Sequence, residues 1–189
     1  FMKFLKTGLE DAYLVELEKR GDDRGFFARS FCVDEFSNAG LETDFVQQNM
    51  SRSSNLHTLR GMHYQVGAFA ETKYIRCHKG AILDVIVDIR RDSPTFLSHE
   101  SFELTEENFK ALYVPKGFAH GFITLTKEVV VSYLVSSRYS FENERAIRWN
   151  DPLLKIKWPS DHPVLSEKDA THTDFDPDMK SLNEDYLEA

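Results

Sequence analysis

A-I-L-D-V-I-V-D-I-R, residues 81–90, alternates with a period of two. In an extended chain Leu83, Val85, Val87 and Ile89 share one face, and Ile82, Asp84, Ile86 and Asp88 share the other. A helix would need apolar positions spaced by three and four, which this run lacks. The stretch E-V-V-V-S-Y-L-V-S-S, residues 128–137, behaves likewise: Val129, Val131, Tyr133 and Val135 fall together, opposite Val130, Ser132, Leu134 and Ser136. Turn residues punctuate such runs at 21–23, at Lys79-Gly80, at Asp92-Ser93-Pro94, at Pro115-Lys116-Gly117 and at Asp151-Pro152. Many short strands at this spacing predict an all-β sandwich or barrel. Two segments read as helical, residues 33–39, with Asp34 as cap and Gly40 as stop, and a turn near 105–110.

Composition sets the outer bounds. A chain of 189 residues with 41% hydrophobic and 29% charged residues is expected to fold as one domain spanning 1–189. From residue 171 it turns polar and acidic, and 171–189 is expected to be a tail with little chemistry. A net charge of -8 repels polyanions, which argues against nucleic-acid or anionic-membrane partners. No apolar run reaches the roughly eighteen residues a spanning helix needs. Two cysteines in no metal-binding spacing, Cys32 and Cys77, fit a reducing cytoplasm.

Against this background T-L-R-G-M-H-Y-Q, residues 58–65, is unusual for a core strand. Regular alternation places His63 with Leu59, Gly61 and Gln65, and Arg60 with Met62 and Tyr64. A bulge at Gly61 would bring both sets to one ligand. In T-K-Y-I-R-C, Lys73 shares a face with Ile75 and Cys77, so a cation starts an otherwise inward strand. The turn at Pro115 and Gly117 leads into a strand bearing His120. Arg24, beside a glycine in D-D-R-G-F-F, suits an anion. Taken singly, each of these has a plainer reading: a hydrogen-bonded core histidine, a snorkelling lysine, a core phenol at Tyr133. A metal-binding jelly roll would want His-x-His and a nearby carboxylate. Here H-Y-Q puts Gln65 where the second imidazole belongs, and only Glu71 follows, so no metal is expected.

Eight motifs in order, D-D-R-G-F-F, F-V-Q-Q-N, L-R-G-M-H-Y-Q, K-Y-I-R-C, the long run from Gly80 to Phe96, V-P-K-G-F-A-H-G-F, A-I-R-W-N-D-P and L-S-E-K-D-A, resemble the dTDP-4-dehydrorhamnose 3,5-epimerase family. The resemblance implies a cupin-like jelly roll with a few short helices, a homodimer, and no metal or organic cofactor. It implies a nucleotide-diphosphate 4-keto-sugar as substrate. His63 then matches the base, Asp169 its carboxylate partner, Tyr133 the acid on the opposite face and Lys73 the cation at the developing enolate, with His120 close by. Arg24 and Arg60 match diphosphate contacts, Gln47 and Asn49 nucleotide contacts, and Tyr139 the ring that stacks on the base. Arg29 takes the position of a base contact that is usually glutamate, and Glu144 and Lys168 match further substrate contacts. A C3-only epimerase on another nucleotide sugar and a non-catalytic nucleotide-sugar-binding jelly roll stay open as alternatives at this point.

Epimerisation beside a ketone explains the residue types. Inversion needs a base on one face of the carbon and an acid on the other, because returning the proton to its own side regenerates substrate. An imidazole, with a reference pKa of about 6.5, serves as a neutral base near neutral pH, and a phenol near 10 stays protonated until a carbanion takes its hydrogen.

Overall fold

In the computed structural model, which describes residues 1–177, period-two alternation becomes thirteen strands. The first five are β1 (Met2–Lys6), β2 (Tyr13–Leu17), β3 (Lys19–Asp22), β4 (Gly25–Ala28) and β5 (Gln47–Ser53). Next come β6 (Leu59–Gln65), β7 (Lys73–Lys79), β8 (Ala81–Asp88) and β9 (His99–Thr105). The last four are β10 (Lys110–Val114), β11 (Phe118–Thr124), β12 (Val129–Val135) and β13 (Glu144–Ala146). One sheet has six strands in the order β1-β2-β10-β7-β12-β5, and the other five in the order β13-β6-β11-β8-β9. Every pairing between strands is antiparallel, and β3 and β4 form a separate hairpin. The result is a jelly roll of two packed sheets.

Three cores follow from the faces. Between the sheets, Ile75, Cys77, Leu112, Val129 and Val131 meet Ile82, Ile86, Leu104 and Phe122. The opposite face of β8, with Val85, Val87 and Leu83, packs under Met62, Ile147, Leu154 and Phe175 together with Ile89. The two faces assigned to residues 81–90 therefore enter two different cores. Helix α1 (Val33–Asn38) lies over the outer face of the six-stranded sheet, where the fully buried Phe36 meets Phe4, Phe31 and Tyr74 edge-on. A six-residue helix cannot persist alone, so this aromatic burial holds it in place.

Four features differ from expectation. The residue preceding α1 is Cys32, with extended backbone and no side-chain cap, so Asp34 lies inside the first turn instead of capping it. Residues 106–108 form a turn between β9 and β10, closed by Thr105 Oγ1 accepting from the Asn108 amide, and not a helical segment. A second helix, α2 (Glu167–Ala170), forms where none was foreseen, capped by Ser166, whose Oγ accepts from the Asp169 amide at 3.0 Å. The described part of the expected tail, residues 171–177, is anchored to the domain. Phe175 is buried in the second core, and its amide donates to Asp151 at 2.6 Å. The remainder, 178–189, lies outside the described residues. No helix among the described residues is long and apolar enough to cross a membrane.

Candidate active site

A regular strand would aim Arg60 and His63 to opposite faces, yet both line one cavity of about 340 Å³. The register of β6 against β11 slips between His120 and Phe122, at the level of Gly61. Gly61 has φ +134, and a Cβ there would lie 2.5 Å from the Gly121 Cα. Only glycine permits this approach, and the irregularity turns Arg60 toward the His63 side while Met62 is buried in the outer core.

The cavity walls come from both sheets. The six-stranded sheet supplies Gln47 and Asn49 from β5, Lys73 from β7 and Tyr133 from β12. The five-stranded sheet supplies Arg60 and His63 from β6, His120 from β11 and Glu144 from β13. Asp169 and Lys168 enter from α2, and Tyr139 from the segment before β13. His63 and Tyr133 thus belong to opposed sheets around one space.

His63 Nε2 lies 2.6 Å from Asp169 Oδ1. In neutral His63 this pairing keeps the proton on Nε2 and leaves Nδ1 as acceptor. Burial opposes ionisation of Asp169, but hydrogen bonds and charge from His63, then Ser166 and His172, outweigh it and hold the carboxyl below its ordinary range. His172 Nε2 reaches the same oxygen at 3.2 Å, its ring edge-on to His63 with centroids 5.7 Å apart.

Lys73 is buried, its Nζ 3.2 Å from Glu71 Oε1 and 3.4 Å from the His63 carbonyl. Burial, and next the Glu71 carboxylate, raise the Tyr133 phenol above the ordinary tyrosine range, against the Asn49 hydrogen bond and the Arg60 charge. The phenol therefore stays protonated to higher pH than a solvated one. His120 Nε2 meets the fully buried Asp84 at 2.5 Å, a second imidazole–carboxylate pair on the same wall. At the rim, Glu144 accepts from Lys168 at 2.5 Å and from the Tyr139 hydroxyl at 3.0 Å. Arg60 donates to Ser53 Oγ and the Arg52 carbonyl. Among the described residues it has no carboxylate partner, so its charge is available to an anion.

Eleven of the thirteen expected site residues line this cavity; Arg24 and Arg29 do not. Arg24 pairs with Asp22 at the tip of the β3–β4 hairpin, and Arg29 pairs with Glu35 of α1 at 2.6 Å. Three polar groups were not foreseen in these roles: Asp84 behind His120, Glu71 behind Lys73, and His172 behind Asp169. Asp84 has a legible signal, a carboxylate on the inward face of an apolar strand. His172 has none in the local sequence.

The class this defines is a cupin-like jelly roll whose two sheets hold an imidazole–carboxylate pair and a phenol, groups able to take and give a proton, around one cavity. A sequence model described as dTDP-4-dehydrorhamnose 3,5-epimerase matches residues 6–177. The dTDP-4-dehydrorhamnose 3,5-epimerase of Pseudomonas aeruginosa is 44% identical over 170 residues, 89% of this chain and 93% of that protein. A crystal structure of the Bacillus anthracis dTDP-4-dehydrorhamnose 3,5-epimerase, with TDP and PPi bound, is 43% identical with a TM-score of 0.90, covering 93% of this chain and 100% of that one. A dTDP-4-dehydrorhamnose 3-epimerase of Streptomyces niveus is 34% identical over 89% of this chain and 81% of its own length. The chain belongs to the dTDP-4-dehydrorhamnose 3,5-epimerase family.

Proposed function

We propose that this chain inverts C3 and C5 of a dTDP-4-keto-6-deoxyglucose through an enolate, with His63 as base and Tyr133 as acid. The observation that supports this most directly is that the two side chains stand on opposed sheets facing one cavity. His63 Nδ1 takes the proton from the carbon beside the ketone, and Asp169 steadies the imidazolium that forms. The electron pair moves to the C4 oxygen, where the Lys73 ammonium stabilises the growing charge more than the neutral ketone. Tyr133 then delivers its proton to the opposite face of the carbon. Solvent removes the proton from His63 and restores the one on Tyr133, so each turnover is neutral overall. The same cycle serves C5 once the sugar presents that carbon. Arg60 holds the diphosphate, Gln47 and Asn49 the nucleoside, and the exposed Tyr139 ring stacks on the base.

A homodimer is part of this reading. Arg24 and Arg29 sit outside their own chain's cavity, and Phe26 and Phe27 of the hairpin between them are exposed. A second copy would cover that apolar surface and bring Arg24 at the hairpin tip, with Arg29 just after β4, to the mouth of its neighbour's site. Cytoplasmic residence also belongs here, supported by Cys32 and Cys77, both unpaired.

Incubating the chain with dTDP-4-keto-6-deoxyglucose in deuterated water tests the chemistry. Deuterium should enter at C3 and C5; entry at C3 alone would reduce the reading to a 3-epimerase. His63→Asn should abolish exchange at both carbons, whereas Tyr133→Phe should keep part of the exchange and lose inversion. Equal inversion by both variants would refute the assignment.

A further inference from the structure

His172 is surplus to the proton transfer just described. An imidazole base needs one carboxylate to fix its tautomer, yet Asp169 Oδ1 is met by Nε2 of two imidazoles, at 2.6 Å from His63 and 3.2 Å from His172. The three ligand-capable atoms lie within 4.8 Å of one another. Two imidazoles and a carboxylate clustered beside an open cavity form the donor set that divalent transition metals favour.

We propose that His63, Asp169 and His172 form a binding site for a divalent transition metal such as zinc, and that filling it silences the base. Donors on one tetrahedral zinc lie roughly 3.3 Å apart, given bonds of about 2.0–2.1 Å. The His172–Asp169 separation of 3.2 Å already matches, the His63–Asp169 pair opens by less than about 1 Å, and the two imidazole nitrogens, within 4.8 Å of each other, close by up to about 1.5 Å. The neighbouring lysines do not oppose the metal, because Lys73 is paired with Glu71 and Lys168 with Glu144. Asp169 and His63 line the cavity, so a metal reaches the site from that space.

The inhibitory consequence rests on the assignment of His63 as base. Coordination at Nε2 of a neutral imidazole moves its proton to Nδ1, the nitrogen that otherwise accepts the substrate hydrogen. A metal-bound His63 therefore has no lone pair left for the sugar.

Calorimetric titration of the untagged full chain at neutral pH with zinc chloride, and separately with magnesium chloride, tests the site. One saturable zinc site per chain is expected, with no magnesium binding, since imidazole donors suit zinc and not magnesium. His172→Ala and Asp169→Asn should each weaken zinc by about a hundredfold or more, while the exposed His162→Ala should not. Cobalt substitution should give visible absorption bands that His172→Ala loses, a signature that reports coordination while circular dichroism checks that the variant is folded. Absence of a one-to-one site, or affinity unchanged in both variants, would overturn the proposal. Zinc should also stop deuterium exchange, with recovery on adding EDTA; zinc bound while exchange continues would overturn the inhibition. A metal-free chain that never exchanges deuterium would count against His63 as base and leave the zinc measurement standing.

Discussion

Lys73 carries an unusual burden for a lysine: it is buried, and its charge is countered by Glu71 at 3.2 Å. A buried ammonium without that partner would face a desolvation penalty of several kcal/mol. With it, the cation is held in a water-poor wall beside Tyr133 and the His63 carbonyl. In the role proposed for it, Lys73 stabilises charge on the C4 oxygen only once the enolate forms, so its loss should fall on kcat and not on KM. Lys73→Met is expected to lower kcat by about a hundredfold to a thousandfold, the usual cost of one oxyanion donor, with KM within about threefold of the parent. Steady-state kinetics on the 4-keto sugar check this, and a change confined to KM would show that Lys73 only binds. The lysine itself was legible from its place at the head of an inward strand face. Glu71 was visible only as a poor metal ligand, although it stands two residues before Lys73 and so shares its side of an extended chain.

At the scale of elements, β6 is the strand whose irregularity makes the site. Gly61 combines φ +134 with an approach to Gly121 that leaves no room for a methyl group. Gly61→Ala therefore adds both backbone strain and overpacking, each of order 1–3 kcal/mol. Urea unfolding should show a loss of about 2–4 kcal/mol, and whatever folded protein remains should have lost epimerase activity, because Arg60 and His63 no longer share a wall. A variant as stable and active as the parent would show that β6 reaches the cavity without the glycine. The strands were readable because half-buried extended chain writes its two faces into the sequence, as residues 81–90 do for two separate cores. Helix α2 was not, since four residues carry no period, and its start depends on one Ser166–Asp169 bond. The segment 171–177 looked like polar tail for the same reason: its two anchoring groups, His172 and Phe175, are separated by residues that face solvent.

On the scale of the whole molecule, the cavity as one chain builds it gathers His63, Tyr133, Lys73 and Arg60, proposed above as base, acid, enolate cation and diphosphate contact, while two further arginines expected at the nucleotide lie elsewhere. Arg24 is at the tip of a two-stranded hairpin that pairs with neither large sheet. A hairpin of two strands has little stability of its own, and this one exposes Phe26 and Phe27. Both features are accounted for if the hairpin docks on a second copy and Arg24 completes that copy's site. In a two-fold dimer each site then draws its base from one chain and Arg24 from the other. Arg24→Ala alone should raise KM by about tenfold or more, the loss of one charge-assisted contact, and His63→Asn alone should be inactive. Mixed and allowed to exchange subunits, the two variants make a heterodimer in which one site holds both His63 and Arg24. That mixture should regain turnover at the parent KM, whereas two sites each complete within one chain would give only the raised KM of Arg24→Ala. Sedimentation of the parent as a monomer at assay concentration would remove the basis for the rescue altogether.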